Sequence, residues 1–430
     1  MKKTVATTAL ALLFVLAALA AGVWVMAVRD EVDVSGPVAT AAPDPALVAR
    51  GAYLARAGNC MTCHTTRGGA PYAGGRGINT PFGTVFASNL TPDEKTGIGR
   101  WSAAQFWRAL HHGKSKDGRL LYPAFPYPNY TEVSRDDSDA LHAYLRSLPA
   151  VAQPNREHAL RWPYSTQAAL AVWRALFFRT GTYRADPARS AEWNRGAYLV
   201  QGLGHCSACH APRNAMGATS NMLDLAGGLI PLQNWYAPSL TSAAEAGVQD
   251  WSAQHISELL KTGVSPRGGA VTGPMAEVVL RSTQFLSPGD LTAMAVYLKD
   301  LPPARGDSAP APLAPVSAAV AKRGAKLYEQ HCAQCHGDTG QGVRGAYPPL
   351  AGNRAVSLNV TANLVQMVLN GGYAPATAGN PRPFGMPPYV LVLSDADIAA
   401  VLTHVRGNWG NQAAPVSEFE VSRYRGTPSR

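Results

Sequence analysis

The sequence predicts a mainly α-helical chain, built as three tandem repeats of one plan behind a single N-terminal apolar helix. Three observations carry this. A short signal recurs at unequal spacing, as Arg50-Gly51-Ala52-Tyr53-Leu54, Arg195-Gly196-Ala197-Tyr198-Leu199 and Arg323-Gly324-Ala325-Lys326-Leu327, and such self-similarity marks a repeated structural unit. Each copy runs shortly afterwards into Cys-x-x-Cys-His, at Cys60–His64, Cys206–His210 and Cys332–His336. Runs of alternating β-branched residues are scarce, whereas apolar residues at helical spacing are common.

Composition narrows the class. The chain has 430 residues, 38 Lys+Arg against 28 Asp+Glu, and a formal net charge of +10. That length suggests two to four domains. A hydrophobic content of 46% excludes a disordered chain, and only 15% of residues are charged, below the usual ~25%. The 41 glycines and 33 prolines imply many loops and turns. One long uncharged apolar run excludes a polytopic membrane protein. No basic cluster with interleaved aromatics occurs, so nucleic acid is not an expected partner.

The elements follow in order. Residues 1–30 hold Lys2 and Lys3, an uncharged run from Thr4 to Val28, and Arg29. This fits an export signal, with Ala18-Leu19-Ala20 as a cleavage site. It also fits an uncleaved anchor, because about 20 apolar residues cross a bilayer. The anchor is favoured, since cleavage there would leave an exposed apolar tail. Either way the bulk of the chain is expected outside the cytoplasm, on the periplasmic side of a bacterial inner membrane. The repeats are expected at 45–152, 190–303 and 317–410. A connecting strap at 153–189 contains an apolar helix near Ala168–Phe178, and residues 304–316 form a Pro/Ala linker. The tail 411–430 shows no pattern.

Within each repeat a middle helix begins near Trp101-Ser102, Trp251-Ser252 or Thr361. A closing helix carries an apolar stripe: Leu141, Tyr144, Leu145 and Leu148; Leu291, Met294 and Leu298; Ile398, Val401, Leu402 and Val405. Ser134/Asp137, Ser287/Asp290 and Ser394/Asp397 open the closing helices. There a serine oxygen satisfies an orphan N–H and a carboxylate favours the positive helix end.

The six cysteines, Cys60, Cys63, Cys206, Cys209, Cys332 and Cys335, fall in three Cys-x-x-Cys pairs, each followed by a histidine: His64, His210 and His336. This is the attachment motif of c-type haem, with two thiols bonding the porphyrin edge and the histidine ligating iron. A thioredoxin-like dithiol would sit in a βαβ pattern, and zinc would need four ligands gathered in each repeat. Three covalently bound haem c groups are therefore expected. A methionine on the opposite side of the iron raises a haem potential. Met275 in Thr272-Gly273-Pro274-Met275 and Met386 in Phe384-Gly385-Met386-Pro387-Pro388 read as loop methionines suited to that position.

The first repeat lacks one. Its loop reads Leu121-Tyr122-Pro123-Ala124-Phe125-Pro126-Tyr127, with Phe125 near where Met386 would align. Its haem is five-coordinate, bound by nitrogen, or capped from elsewhere. His111 and His112 are the local nitrogen candidates, though both also fit the end of a helix. His142 reads as a surface residue. Pro212 and Pro348-Pro349 offer carbonyls to orient the motif histidines, and Arg67, Arg213 and Arg344 lie where they could neutralise haem propionates.

Over residues 45–410 the chain resembles the triheme cytochrome c subunits of bacterial membrane-bound alcohol, gluconate, fructose and sorbitol dehydrogenases. The most specific segments are Arg195–Leu199 with Cys206-Ser207-Ala208-Cys209-His210-Ala211-Pro212-Arg213-Asn214, and Leu121–Tyr127. The resemblance implies three cytochrome c-like domains that take electrons from a separate catalytic subunit of flavin, quinoprotein or molybdenum type and pass them to ubiquinone. No nucleotide or flavin motif occurs in this chain, so substrate chemistry is assigned to the partner. Two other readings stand beside it. One is a peroxidase-like multihaem enzyme with an open first haem. The other is an electron donor to a terminal oxidase.

Overall fold

The computed structural model describes residues 2–28, 34, 36–38, 42–219, 224–265, 269–304 and 315–425. Most of the Pro/Ala linker lies outside them. The N-terminal run forms one helix, Lys2–Val28, within which Thr4–Val25 is long and apolar enough to cross a membrane. The fold is mostly helical, with strands of only two to four residues. The chain forms two compact units. One holds Met1–Ala55, Cys60–Arg184 and Asn214–Ser220; the other holds Arg56–Asn59, Ala185–Arg213 and Asn221–Arg430.

The same helix crossing recurs in all three repeats, between opening helices Pro45–Ala57, Ala191–Tyr198 and Ala318–His331 and closing helices Arg135–Ser147, Pro288–Lys299 and Asp395–Gly407. A Cβ on Gly51 would lie 1.9 Å from the Ala140 carbonyl oxygen, on Gly196 1.9 Å from that of Ala293, and on Gly324 2.3 Å from that of Ala400. Only glycine lets the two backbones approach so closely. The preceding arginine fastens the crossing. Arg50 Nε donates to Asp137 Oδ1 (2.9 Å), Arg195 Nε to Asp290 Oδ1 (2.8 Å) and Arg323 Nε to Asp397 Oδ1 (2.8 Å). Each of these aspartates is also the capping partner expected of its serine. Ser134, Ser287 and Ser394 side chains accept from the backbone N–H of Asp137, Asp290 and Asp397. One carboxylate thus serves a helix start and an interhelical ion pair.

The middle helices start as expected. Ala103–His112 is capped by a Ser102/Gln105 box, Ala253–Thr262 by Ser252, and Ala362–Asn370 follows Thr361. Left-handed glycines end the first two, Gly113 (φ 58°) and Gly263 (φ 79°).

In the first unit a three-stranded antiparallel sheet, Gly77–Thr80, Gly83–Phe86 and Ala159–Leu160, lies beside the helices. The strap helix, Gln167–Phe177, buries Trp173 against Tyr127 together with Phe178. Arg174 is buried there and donates to the His112 carbonyl (2.5 Å).

In the second unit Asn363 and Tyr236 exchange two hydrogen bonds of 2.8 Å, joining the second repeat to the third, and Arg354 reaches Gly247 O (2.8 Å) and Asp250 (3.0 Å). The third core gathers Val365, Leu369, Ile398 and Leu402. Each such buried side chain contributes about 1.5–3 kcal/mol. The tail differs from the featureless segment expected. It holds a helix, Glu418–Arg425, whose Val421 and Tyr424 complete that core.

Candidate functional site

Each Cys-x-x-Cys-His is wound into one helical turn. The backbone N–H of His64 donates to Cys60 O (3.0 Å), that of His210 to Cys206 O (2.9 Å) and that of His336 to Cys332 O (2.9 Å). Residues i, i+3 and i+4 share one face of such a turn, so both thiols and the imidazole leave the backbone on the same side. All six cysteines are free thiols. Burial, followed by the neighbouring thiol of the pair, pushes Cys60 and Cys206 up to about 12 and Cys332 up to about 11. The described residues hold no group of three or more His, Cys, Asp or Glu side chains placed to bind a metal ion.

The three motif imidazoles are oriented alike. Nδ1 of His64 lies 2.7 Å from Ser88 O, that of His210 2.7 Å from Pro238 O and that of His336 3.0 Å from Pro348 O. A carbonyl can only accept, so Nδ1 carries the proton and Nε2 keeps its lone pair. This is the tautomer that a metal-ligating histidine needs. Burial lowers all three histidines below their ordinary value and keeps them neutral. Two free thiols beside an imidazole with Nε2 available fit a covalently held haem.

The orienting carbonyls correct one expectation. Pro348 serves as foreseen, but Pro238 replaces Pro212 in the second repeat, and Ser88 fills the role in the first. Of the three motif-proximal arginines, Arg213 turns back to the Ala208 carbonyl inside its own motif, while Arg67 and Arg344 are exposed. Arg76, which sequence reasoning missed, makes the matching bond in the first motif, to Thr62 O (2.6 Å). Both arginines thus bind the carbonyl just before the second cysteine.

The methionines expected opposite the histidines lie beyond the middle helices. Met386 lies half-buried in a short strand, Gly385–Met386, paired with Gly372–Tyr373. Gly371 (φ 63°) permits that pairing, since a Cβ there would meet Met386 O at 2.2 Å. Tyr389 donates to His331 O (2.7 Å), tying this loop to the residue before Cys332.

Met275 stands in the first turn of a helix, Gly273–Arg281, and not in a loop as expected. Pro274, at the start of that helix, has φ preset for helix and needs no N–H there.

In the first repeat Phe125 packs on Tyr130 (ring centroids 5.4 Å apart) and Tyr127 (6.5 Å). Burial raises the Tyr130 phenol well above its ordinary value, and the nearby Cys60 and Cys63 raise it further.

His111 is buried, stacked on Trp107 at 4.3 Å, and edge-on to His112 at 4.7 Å. His142 is buried too, against Phe106, and not at the surface as expected. Burial first, and then Arg146, lowers it to about 4.

The comparisons with known proteins agree with this geometry. The cytochrome c family model matches residues 48–149 and 321–409. Over 400 residues the chain is 40% identical to the cytochrome c subunit of a quinone alcohol dehydrogenase from Gluconacetobacter polyoxogenes, covering 89% of this chain and 85% of that protein. The gluconate 2-dehydrogenase cytochrome c subunit of Pantoea cypripedii is 37% identical, with 88% and 90% covered. The fructose dehydrogenase cytochrome subunit of Gluconobacter japonicus is 35% identical, with 88% and 82% covered. Similarity of this extent, over turns that present paired thiols beside an oriented imidazole, places the chain in the family of cytochrome c subunits of dehydrogenase complexes, electron-transfer proteins that carry covalently bound haem c.

Proposed function

We propose that the chain is a triheme electron-transfer subunit that takes electrons from a dehydrogenase on the periplasmic side of a bacterial inner membrane and passes them to ubiquinone. The three haems fall in three cytochrome c domains, 45–152, 190–303 and 317–410. Cys60/Cys63, Cys206/Cys209 and Cys332/Cys335 form the thioether links. His64, His210 and His336 ligate iron through Nε2, with Met275 and Met386 opposite in the second and third domains.

The observation that carries this reading is the threefold recurrence of one local structure: a motif turn, an imidazole bonded through Nδ1 to a backbone carbonyl, and a glycine crossing fastened by an Arg–Asp pair. Haem c supplies a one-electron redox centre of tunable potential. The protein's part is to hold each centre in place, and the Asn363–Tyr236 bonds fix the second and third repeats against each other.

The catalytic partner is a subunit that oxidises an alcohol, sugar or related donor through flavin, pyrroloquinoline quinone or molybdenum. The Lys2–Val28 helix holds the complex at the membrane. Mass spectrometry of the exported chain tests the core of this reading. Three haem-modified peptides, each lost in its own Cys→Ala pair variant, are expected; unmodified motif peptides would refute it. Co-purification and cofactor analysis of the partner test the rest.

A further inference from the structure

We infer that the first repeat leaves the distal side of its haem without a protein ligand and so forms a binding site for a small diatomic ligand such as carbon monoxide. This rests on the reading of Cys60, Cys63 and His64 as a haem site.

The argument is the register of two loops. After left-handed Gly113, Lys114 bridges Leu120, Ser115 N–H donates to Arg119 O (2.8 Å), and Leu121 N–H returns to Gly113 O (2.8 Å). After left-handed Gly263, Val264 bridges Ala270, Ser265 N–H donates to Gly269 O (2.7 Å), and Val271 N–H returns to Gly263 O (2.8 Å). The pattern matches as far as Leu121 and Val271; beyond it Met275 lies in the first turn of helix Gly273–Arg281, whereas Phe125 precedes a short helix, Tyr127–Tyr130. Phe125 stands twelve positions after Gly113, and Met275 stands twelve positions after Gly263. Counted from the left-handed glycine, Phe125 thus takes the chain position that Met275 holds in the second repeat, and a phenyl ring has no lone pair to give to iron.

The aromatic side chains packed around Phe125 offer iron no thioether or imidazole. Phe125 is held among Tyr127, Tyr130, Trp173 and Phe178. Met61 lies between the two motif cysteines, on the turn that holds the other side of the site. His111 corresponds in register to Lys261. Lys261 bonds the Leu286 carbonyl, just before its closing helix, and His111 likewise bonds the backbone of Thr131 ahead of its own. That position serves the helix packing in both repeats. Tyr130 carries its phenol beside Cys60 and Cys63, on the side of the thiols that would bond the porphyrin edge.

The test uses the purified full-length chain. Pyridine haemochrome and peptide mass spectrometry first establish haem at each motif. Carbon monoxide is then titrated into the dithionite-reduced protein, and electron paramagnetic resonance is recorded on the oxidised protein. About one haem in three should bind carbon monoxide and give a high-spin signal. Phe125→Met should abolish both without changing the haem count, and His111→Ala and His112→Ala should leave them unchanged. Three low-spin haems that take up no carbon monoxide would overturn the inference alone. So would a carbon monoxide site that appears only in His111→Ala or His112→Ala. A missing haem at Cys60/Cys63 would overturn the motif reading and the inference with it.

Discussion

The loops Gly113–Phe125 and Gly263–Met275 have the same length, the same bridge and the same returning hydrogen bonds, yet they end on side chains of opposite chemistry. The backbone register is a scaffold set by a left-handed glycine and a few peptide bonds. What the scaffold offers is decided by one residue at its end. Two motif sites in one chain thus share a motif turn and the start of a loop while presenting different side chains from it.

The sharpest way to break the comparison is to make the second loop end as the first does. Met275→Phe should raise the fraction of carbon monoxide-binding haem from about one third to about two thirds. It should also lower the potential of that centre, because the thioether ligand raises it; optical redox titration reads both. If the second haem stays low-spin in that variant, the register equivalence is wrong.

The shared architecture can be attacked next. Gly196→Val forces a branched side chain against the Ala293 carbonyl and should destabilise the chain by roughly 1–3 kcal/mol or more in urea unfolding, with Gly51→Val and Gly324→Val behaving alike. Gly289→Ala is the control. Its Cβ would meet only Ser287 Oγ at 4.0 Å, so little change is expected.

Arg195→Ala should cost less, about 0.5–1 kcal/mol, because the Arg195–Asp290 pair is partly exposed to solvent. The loss should shrink in high salt.

The smallest effect concerns acid. The Ser394 side chain first, and Arg323 with it, hold the Asp397 carboxyl below its ordinary value against the opposing effect of burial. A depressed carboxylate contributes stability above its unfolded pKa and loses it as pH falls through the folded one. The melting temperature should therefore fall below about pH 4, and Asp397→Asn should flatten that limb.

Much of the frame was legible because it depends on neighbours in sequence. Ser102, Ser134, Ser252, Ser287 and Ser394 all cap the helices expected of them, since capping is a three-residue affair. The motif turns follow for the same reason. Partnerships across long separations were not legible. The arginine of each repeat signal and the aspartate of each closing cap stand out singly, but nothing in the sequence joins Arg50 to Asp137. Pro348 could be foreseen as an orienting carbonyl because it follows its motif closely, whereas Pro238 and Ser88 are brought in by a hairpin and a sheet. Pro274 read as a loop marker when it is a helix starter. His142 lies on a closing helix face that the middle helix covers through Phe106. The tail helix has too few residues for a stripe to stand out.

The carbonyl partners of His64, His210 and His336 carry one more consequence. A peptide oxygen is a neutral acceptor, so it leaves each ring a plain imidazole and gives none of the imidazolate character that a carboxylate partner would induce. A haem held at any of these motifs would therefore meet a neutral imidazole, and differences in potential between such centres would have to come from other ligands and from the charges around them.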